Sequence, residues 1–367
     1  MKKIYCNFAI VVLVLALIFS FSSIHHTSAQ PVREKATEKI SKADTYDDKI
    51  DNLLTKNNFC GTVYVVKNNH VLYQKSVGYA NYGQKIKNSA TSSYEIDSIQ
   101  KNLTAGILMT LVQQGKVSLD DHLSKYFPDV KGSNLITLRQ MLDMESGLVL
   151  KGNGPNKVLS DPDLIQADIP NITFSRIMLN KWQYSPINFV LLARIIEKVT
   201  GQTYKQAFTQ TYIDKLDLKH TTFAYGSDNG VNKAQGYTNK IPLSGSLNYH
   251  NPYITTPAQT HNELGTGQVF MSPSDLFKVE NYIVSGDLLT KESRDTLFIP
   301  ASVSTYGGGF YNNHNSHSAN GWGYGFQSVV HISDDGQTAV IVMSNYQRLA
   351  NDIKPMAGQI YTITQQQ

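Results

Sequence analysis

Tyr94-Glu95-Ile96-Asp97-Ser98-Ile99-Gln100-Lys101-Asn102-Leu103-Thr104 contains the only S-x-x-K of the chain, at the mouth of an apolar helical pattern. Ile99, Leu103, Ile107, Leu108, Leu111 and Val112 recur at helical spacing over a wide face, and Gly115 supplies the stop. Residues three apart share a helix face, so the Lys101 amine can reach the Ser98 hydroxyl. A serine hydroxyl is a poor nucleophile until a base takes its proton, and a desolvated lysine can do so. First-turn N–H groups also favour negative charge developing at Ser98. Chance supplies such a tetrad often enough that placement and context must carry the reading.

The 367 residues suffice for a large core, and 41% hydrophobic with 17% charged is ordinary for a globular protein. The N-terminus departs from this. Lys2 and Lys3 precede an apolar run from Phe8 to Phe21, and Thr27-Ser28-Ala29 offers a small-residue cleavage site. Residues 1–29 therefore read as an export signal or membrane anchor, which predicts an extracytoplasmic, cell-envelope location. Residues 30–47 are polar and read as a tether. Cys60 is then the sole cysteine of the remaining chain, so no internal disulfide is available and the core must hold the fold. The net charge is +4, falling to +2 without Lys2 and Lys3, which gives no case for a nucleic-acid partner.

Outward from the tetrad, Gly61–Val66 and Val71–Tyr79 read as a hairpin about Lys67-Asn68-Asn69-His70. Gln327–Ile332 and Gln337–Ser344 read as a second hairpin about Ser333-Asp334-Asp335-Gly336, and 350–364 as a helix. Between them lie helical segments at 137–144, at 187–199 and after Ser272. Segments 149–181 and 225–262, rich in Asn, Gly, Pro and Tyr, read as loops. The expected fold is α/β (α+β), with one antiparallel sheet built from both chain ends and flanked by helices. A mainly helical insert spans about 115–300, within a domain covering 48–367. The site should be the crevice between sheet and insert.

Two further segments could carry chemistry. In Tyr184-Ser185-Pro186-Ile187-Asn188, Ser185 reads as an N-cap with Pro186 as the first helical residue, which leaves Tyr184 beside a helix start. A tyrosine next to a lysine can act as a general acid or base. In His317-Ser318-Ala319-Asn320-Gly321-Trp322-Gly323-Tyr324, small residues would let a substrate lie along a strand edge. His314 and His317 have no third ligand at metal-binding spacing and no H-E-x-x-H exists, so neither metal nor cofactor is expected.

Together these segments resemble the serine β-lactamase and penicillin-binding-protein superfamily, in particular its class C β-lactamase-like branch. The matches run in order from Gly61-Thr-Val-Tyr-Val-Val through Ile136-Thr-Leu-Arg-Gln-Met-Leu and Ser146-Gly-Leu to Gly265-Thr-Gly-Gln-Val-Phe-Met-Ser-Pro-Ser-Asp-Leu. The resemblance implies an acyl-enzyme on Ser98, with Lys101 and Tyr184 managing the proton. It also implies an oxyanion hole from the N–H of Ser98 and one on the third-motif strand, carried over to Asn320.

Two departures bear on the substrate. The family's Tyr-x-Asn reads Tyr184-Ser185-Pro186 here, and proline cannot supply the amide side chain that holds a peptide substrate. Asn188 is the nearest asparagine that could stand in, although helix geometry turns it elsewhere. The third motif, usually Lys-Thr-Gly or His-x-Gly, is read as His317-Ser318-Ala319, and the Ala319 methyl narrows the strand edge. Both changes fall on substrate recognition. The chain is thus most similar to the Gram-positive esterases that remove D-alanine from teichoic acids. A D-alanyl-D-alanine carboxypeptidase acting on peptidoglycan stem peptides, or a weak β-lactamase, is the second expectation. A non-catalytic sensor or scaffold is the third.

Overall fold

Seven strands form the main sheet, and the chain enters it from both ends. Labelled in chain order, they are β1 Gly61–Lys67, β2 His70–Val77, β3 Tyr306–Gly307, β4 Phe310–Asn313, β5 Ser316–Gly323, β6 Phe326–Ser333 and β7 Ala339–Ser344. Their spatial order is β3-β4-β5-β6-β7-β1-β2, antiparallel throughout. The N-terminal hairpin therefore docks on the last strand, with Thr62 opposite Met343 and Val66 opposite Ala339. The computed structural model describes residues 44–152, 154–228, 230–241 and 243–367. The expected leader, 1–29, and the tether up to residue 43 lie outside the described residues.

Ten α-helices accompany the sheet among the described residues: α1 Tyr46–Lys56, α2 Gln100–Gln113, α3 Leu138–Leu142, α4 Asp161–Asp168, α5 Ile187–Thr200, α6 Tyr204–Phe208, α7 Pro257–His261, α8 Pro273–Val284, α9 Lys291–Leu297 and α10 Ile353–Gln365. Period-two alternation explains how one strand serves two cores. Val63 and Val65 of β1 pack with Ile50 and Leu54 of α1 and with Met356 and Ile360 of α10. Tyr64 and Val66 face the other way, into the cluster built on α2, α5 and α8. Strands covered on both faces read as continuous apolar runs, and β7 is buried at every position.

Helix α2 is buried nearly all round, including Gln100, Lys101 and Asn102. A helix that is buried on all sides belongs to the core rather than to its surface. Cys60 is free and fully buried, and burial pushes its thiol above the ordinary range. None of the described helices is long and apolar enough to cross a membrane.

Several boundaries differ from the sequence reading. Thr45 caps α1 with Asp48 in a reciprocal capping box, so the helix begins inside the expected tether. His70 belongs to β2 rather than to the turn. Segment 149–181 contains α4, and the pairing of Leu148–Leu150 with Ile172–Phe174 joins its two ends. Within 225–262 the structure places Tyr237–Thr238 alongside Tyr346–Gln347, and α7. The stretch from His317 to Gly323 lies in strand β5.

Candidate active site

Ser98 lies in a single 3-10 turn, Asp97–Ile99, that leads directly into α2. Asp97 has φ +45°, a left-handed conformation that is uncommon outside glycine and clusters at functional sites. From the first turn of α2, Lys101 Nζ reaches Ser98 Oγ at 2.8 Å, as the spacing requires. From the segment before α5, the Tyr184 hydroxyl donates to the same Oγ at 2.8 Å. Lys101 Nζ also stands 5.3 Å from the centroid of the Tyr184 ring. Lys101 is 1% exposed, whereas Tyr184 is 40% exposed and forms the open side of the cluster.

Two side chains, Lys101 from the next helical turn and Tyr184 from a distant part of the chain, thus converge on the Ser98 oxygen. When Lys101 carries no proton, the 2.8 Å contact runs the other way, with Ser98 O–H donating to Nζ. That is the geometry of a nucleophile beside its base.

The strand that faces this cluster is β5, and its register differs from the expected one. A Cβ on Gly321 would stand 2.1 Å from Ile96 O, and one on Gly323 would stand 2.6 Å from Asp97 Oδ1. The strand comes this close to the turn that carries Ser98 only because those positions lack side chains. The stretch against the site is therefore Asn320-Gly321-Trp322, not His317-Ser318-Ala319. His317 is buried farther along β5, where Nδ1 meets Asn312 Oδ1 at 2.8 Å and the ring stacks on Phe298. Ala319 is buried in the main core and does not narrow the edge.

Tyr324 and Gly325 join β5 to β6, both with positive φ (48° and 93°), as a type I′ turn requires. Such a turn closes on a hydrogen-bonded pair, here Gly323 and Phe326. Alternation then bonds Gly321 and Ala319 to β6 and turns the N–H groups of Asn320 and Trp322 to the opposite edge. β4 pairs along that edge only as far as Ser318, so the edge beyond is open.

Asn188 is turned away from the site. It is fully buried, with Oδ1 accepting from Ser146 Oγ at 2.6 Å and Nδ2 donating to Ser185 O at 3.0 Å. Its amide is spent on holding the start of α5. The side chain of Ser185 makes no capping bond, and Pro186 occupies the cap position. Nothing in this segment offers an amide to a substrate.

A feature invisible to motif reading lies behind Ser98. Glu95 and Asp97 are 1% and 4% exposed, and Glu95 Oε1 and Asp97 Oδ2 have no hydrogen-bond partner among the described residues. Burial, then the charges of neighbouring carboxylates, raises both above the usual carboxylate range. Glu263 adds a third carboxylate, accepting from the Tyr324 hydroxyl at 2.5 Å. Like charges in low dielectric favour neutral acids, so Asp97, one residue before Ser98, is biased toward its protonated form. Among the described residues, no group of His, Cys, Asp and Glu could hold a metal ion.

Comparison with known proteins gives the family. A family model described as Beta-lactamase matches residues 46–360. The chain belongs to that family. It is 32% identical over 336 residues to a Bacillus subtilis (strain 168) protein named a penicillin-binding protein, PbpX, covering 91% of this chain and 82% of the relative. It is 27% identical to the teichoic acid D-alanine hydrolase of Staphylococcus aureus, over 82% of this chain and 74% of that one. The crystal structure of FmtA from Staphylococcus aureus superposes with TM-score 0.74 at 24% identity, over 87% and 88% of the two chains. D-amino acid amidase from Ochrobactrum anthropi SV3, complexed with D-phenylalanine, gives 0.72 at 18% identity, over 88% and 98%. At these identities the two structures speak for the fold alone. The chain is a hydrolase-family member with the β-lactamase and transpeptidase type of fold.

Proposed function

We propose that this protein is an exported serine esterase that removes D-alanine from teichoic acid through an acyl-enzyme on Ser98. The observation that carries the reading is the split between an assembled Ser98–Lys101–Tyr184 cluster and a missing amide arm, where Pro186 stands and Asn188 is turned inward. Acyl transfer needs the cluster. Recognition of a peptide amide needs the arm. The relatives named for teichoic acid D-alanine hydrolysis favour the same substrate.

Ser98 Oγ attacks the ester carbonyl carbon while its proton passes to Lys101. Oxygen charge develops against the N–H of Ser98 and an N–H of the open β5 edge, Asn320 or Trp322. The carbon–alkoxide bond breaks, and the Tyr184–Lys101 pair returns the proton to the departing polymer hydroxyl. Water then attacks the acyl-enzyme by the reverse proton route and releases D-alanine. The location outside the cytoplasm follows from the leader-like residues 1–29, and the partner is a cell-envelope polymer.

Purified protein should release D-alanine from alanylated lipoteichoic acid, and Ser98→Ala should abolish release. Cleavage of D-alanyl-D-alanine stem peptides without such release would reject the ester reading in favour of a carboxypeptidase. Failure of any ester to acylate Ser98, read as a mass shift, would leave only a scaffold.

A further inference from the structure

Beside Tyr184 lies a cavity of about 560 Å³, whose walls run from α4 and the start of α5 to α7 and the β5–β6 turn. Leu164 and Val190 line its apolar side, and Glu263 lies where it borders Tyr324. Asp168, the last residue of α4, also lines it.

Asp168 is 3% exposed, and its side chain makes no hydrogen bond or ion pair among the described residues. Asn262 Oδ1, on the same wall, is likewise unpartnered. Its orientation is fixed, because Nδ2 donates to Pro155 O and Lys157 O. The described lining residues include no lysine, arginine or histidine.

A buried carboxylate without a partner is costly, and the cost is removed when a ligand brings the opposite charge. The wall offers acceptors and no cation, set in apolar surface. That combination suits an organic ammonium ion and repels phosphate. Burial also raises the Asp168 carboxyl to about 6, which leaves it chiefly ionised at neutral pH.

We infer that this cavity is a binding site for a primary ammonium group carried by the substrate, with Asp168 as its counter-charge. The inference rests on the esterase reading, in which Tyr184 on the cavity wall serves the reaction, and deepens it. An aminoacyl ester carries such an ammonium beside the carbonyl, whereas an ordinary acyl ester does not. The cavity is also far roomier than a methyl side chain requires, so aminoacyl groups larger than alanyl fit the site.

Three esters test it: methyl D-phenylalaninate, with the ammonium on the acyl side; 2-aminoethyl 3-phenylpropanoate, with it on the alcohol side; and methyl 3-phenylpropanoate, with none. For each ammonium ester, kcat/KM is divided by that of the neutral ester, in the unmodified protein and in Asp168→Asn. Intrinsic reactivity and partial loss of fold cancel in this comparison. A charge-assisted contact predicts that the ratio drops about tenfold in Asp168→Asn for one ammonium ester. The ester that shows the drop identifies the side. Ratios unchanged for both overturn the inference.

Should none of the three turn over, Ser98→Ala protein is titrated calorimetrically with D-phenylalaninamide and its N-acetyl derivative. Tighter binding of the free amine, lost in Ser98→Ala/Asp168→Asn, supports the site. Equal affinity, or no binding of either at millimolar concentration, overturns it. Absent release of D-alanine from teichoic acid with the ammonium preference intact would reject the polymer and keep the cavity.

Discussion

Gly321 shows how much a single residue decides here. Its missing side chain lets β5 run against Ile96 O, where an added Cβ would stand at 2.1 Å. Gly321→Ala should lower kcat/KM about a hundredfold, because sub-ångström displacement of an oxyanion donor is enough for that loss. The protein should still fold, since the clash lies at one edge of the sheet; activity and thermal melting of one preparation separate the two effects. Pro186 makes the opposite kind of test. Pro186→Asn restores an amide at the mouth of α5 and should raise the acylation rate by a β-lactam, measured as covalent mass on Ser98. An unchanged rate removes the missing amide as the reason for altered specificity.

At the scale of elements, the start of α2, the start of α5 and the β5–β6 hairpin frame the candidate site. Asn188 ties Ser146 and the Ser185 carbonyl together inside the core, and Tyr184 precedes this knot. Asn188→Ala takes the acceptor from the Ser146 hydroxyl and removes one of the two bonds to the Ser185 carbonyl, and should cost about 1–3 kcal/mol in stability. It should also lower kcat more than it raises KM, because Tyr184 loses its anchor; equal kcat in a folded variant would deny that link.

The sequence readily disclosed both hairpins, the two-ended sheet and the α2 and α5 helices, because apolar periodicity and turn residues are local signals. The meeting of Ser98, Lys101 and Tyr184 was legible in spacing and order. The register of β5 was not, because counting residues from a histidine cannot sense where a strand touches another backbone. The Glu95–Asp97–Glu263 cluster was hidden for a similar reason: its third member joins only through the folded contact with the β5–β6 turn. Asp168 was equally hidden, since an aspartate at a helix end reads as surface until burial is known.

Across the whole molecule, buried carboxylates set the pH dependence of stability. Glu280 is fully buried between α8 and α2, accepts from Asn102 Nδ2 at 2.9 Å, and is raised by burial from 4.5 to about 8. The folded state therefore holds this proton at pH values where the unfolded chain has released it. Stability from Glu280 is complete below about 4.5 and is lost as pH rises through about 8. The melting temperature should fall by a few degrees between pH 5 and 8, and Glu280→Gln, which keeps the Asn102 contact, should flatten that decline. A slope unchanged in the variant would place the proton elsewhere.

The two-ended sheet also has a consequence for how the protein is made. β1 pairs with β7, whose residues 339–344 are synthesised some 270 positions later, so this pairing waits for almost the entire chain. Loop closure over such a span is slow, and no partial sheet of β1 with β2 can bury both its faces meanwhile. The sheet of a nascent chain thus stays open until its final strands emerge. The fold completes itself last at the strand that receives its first.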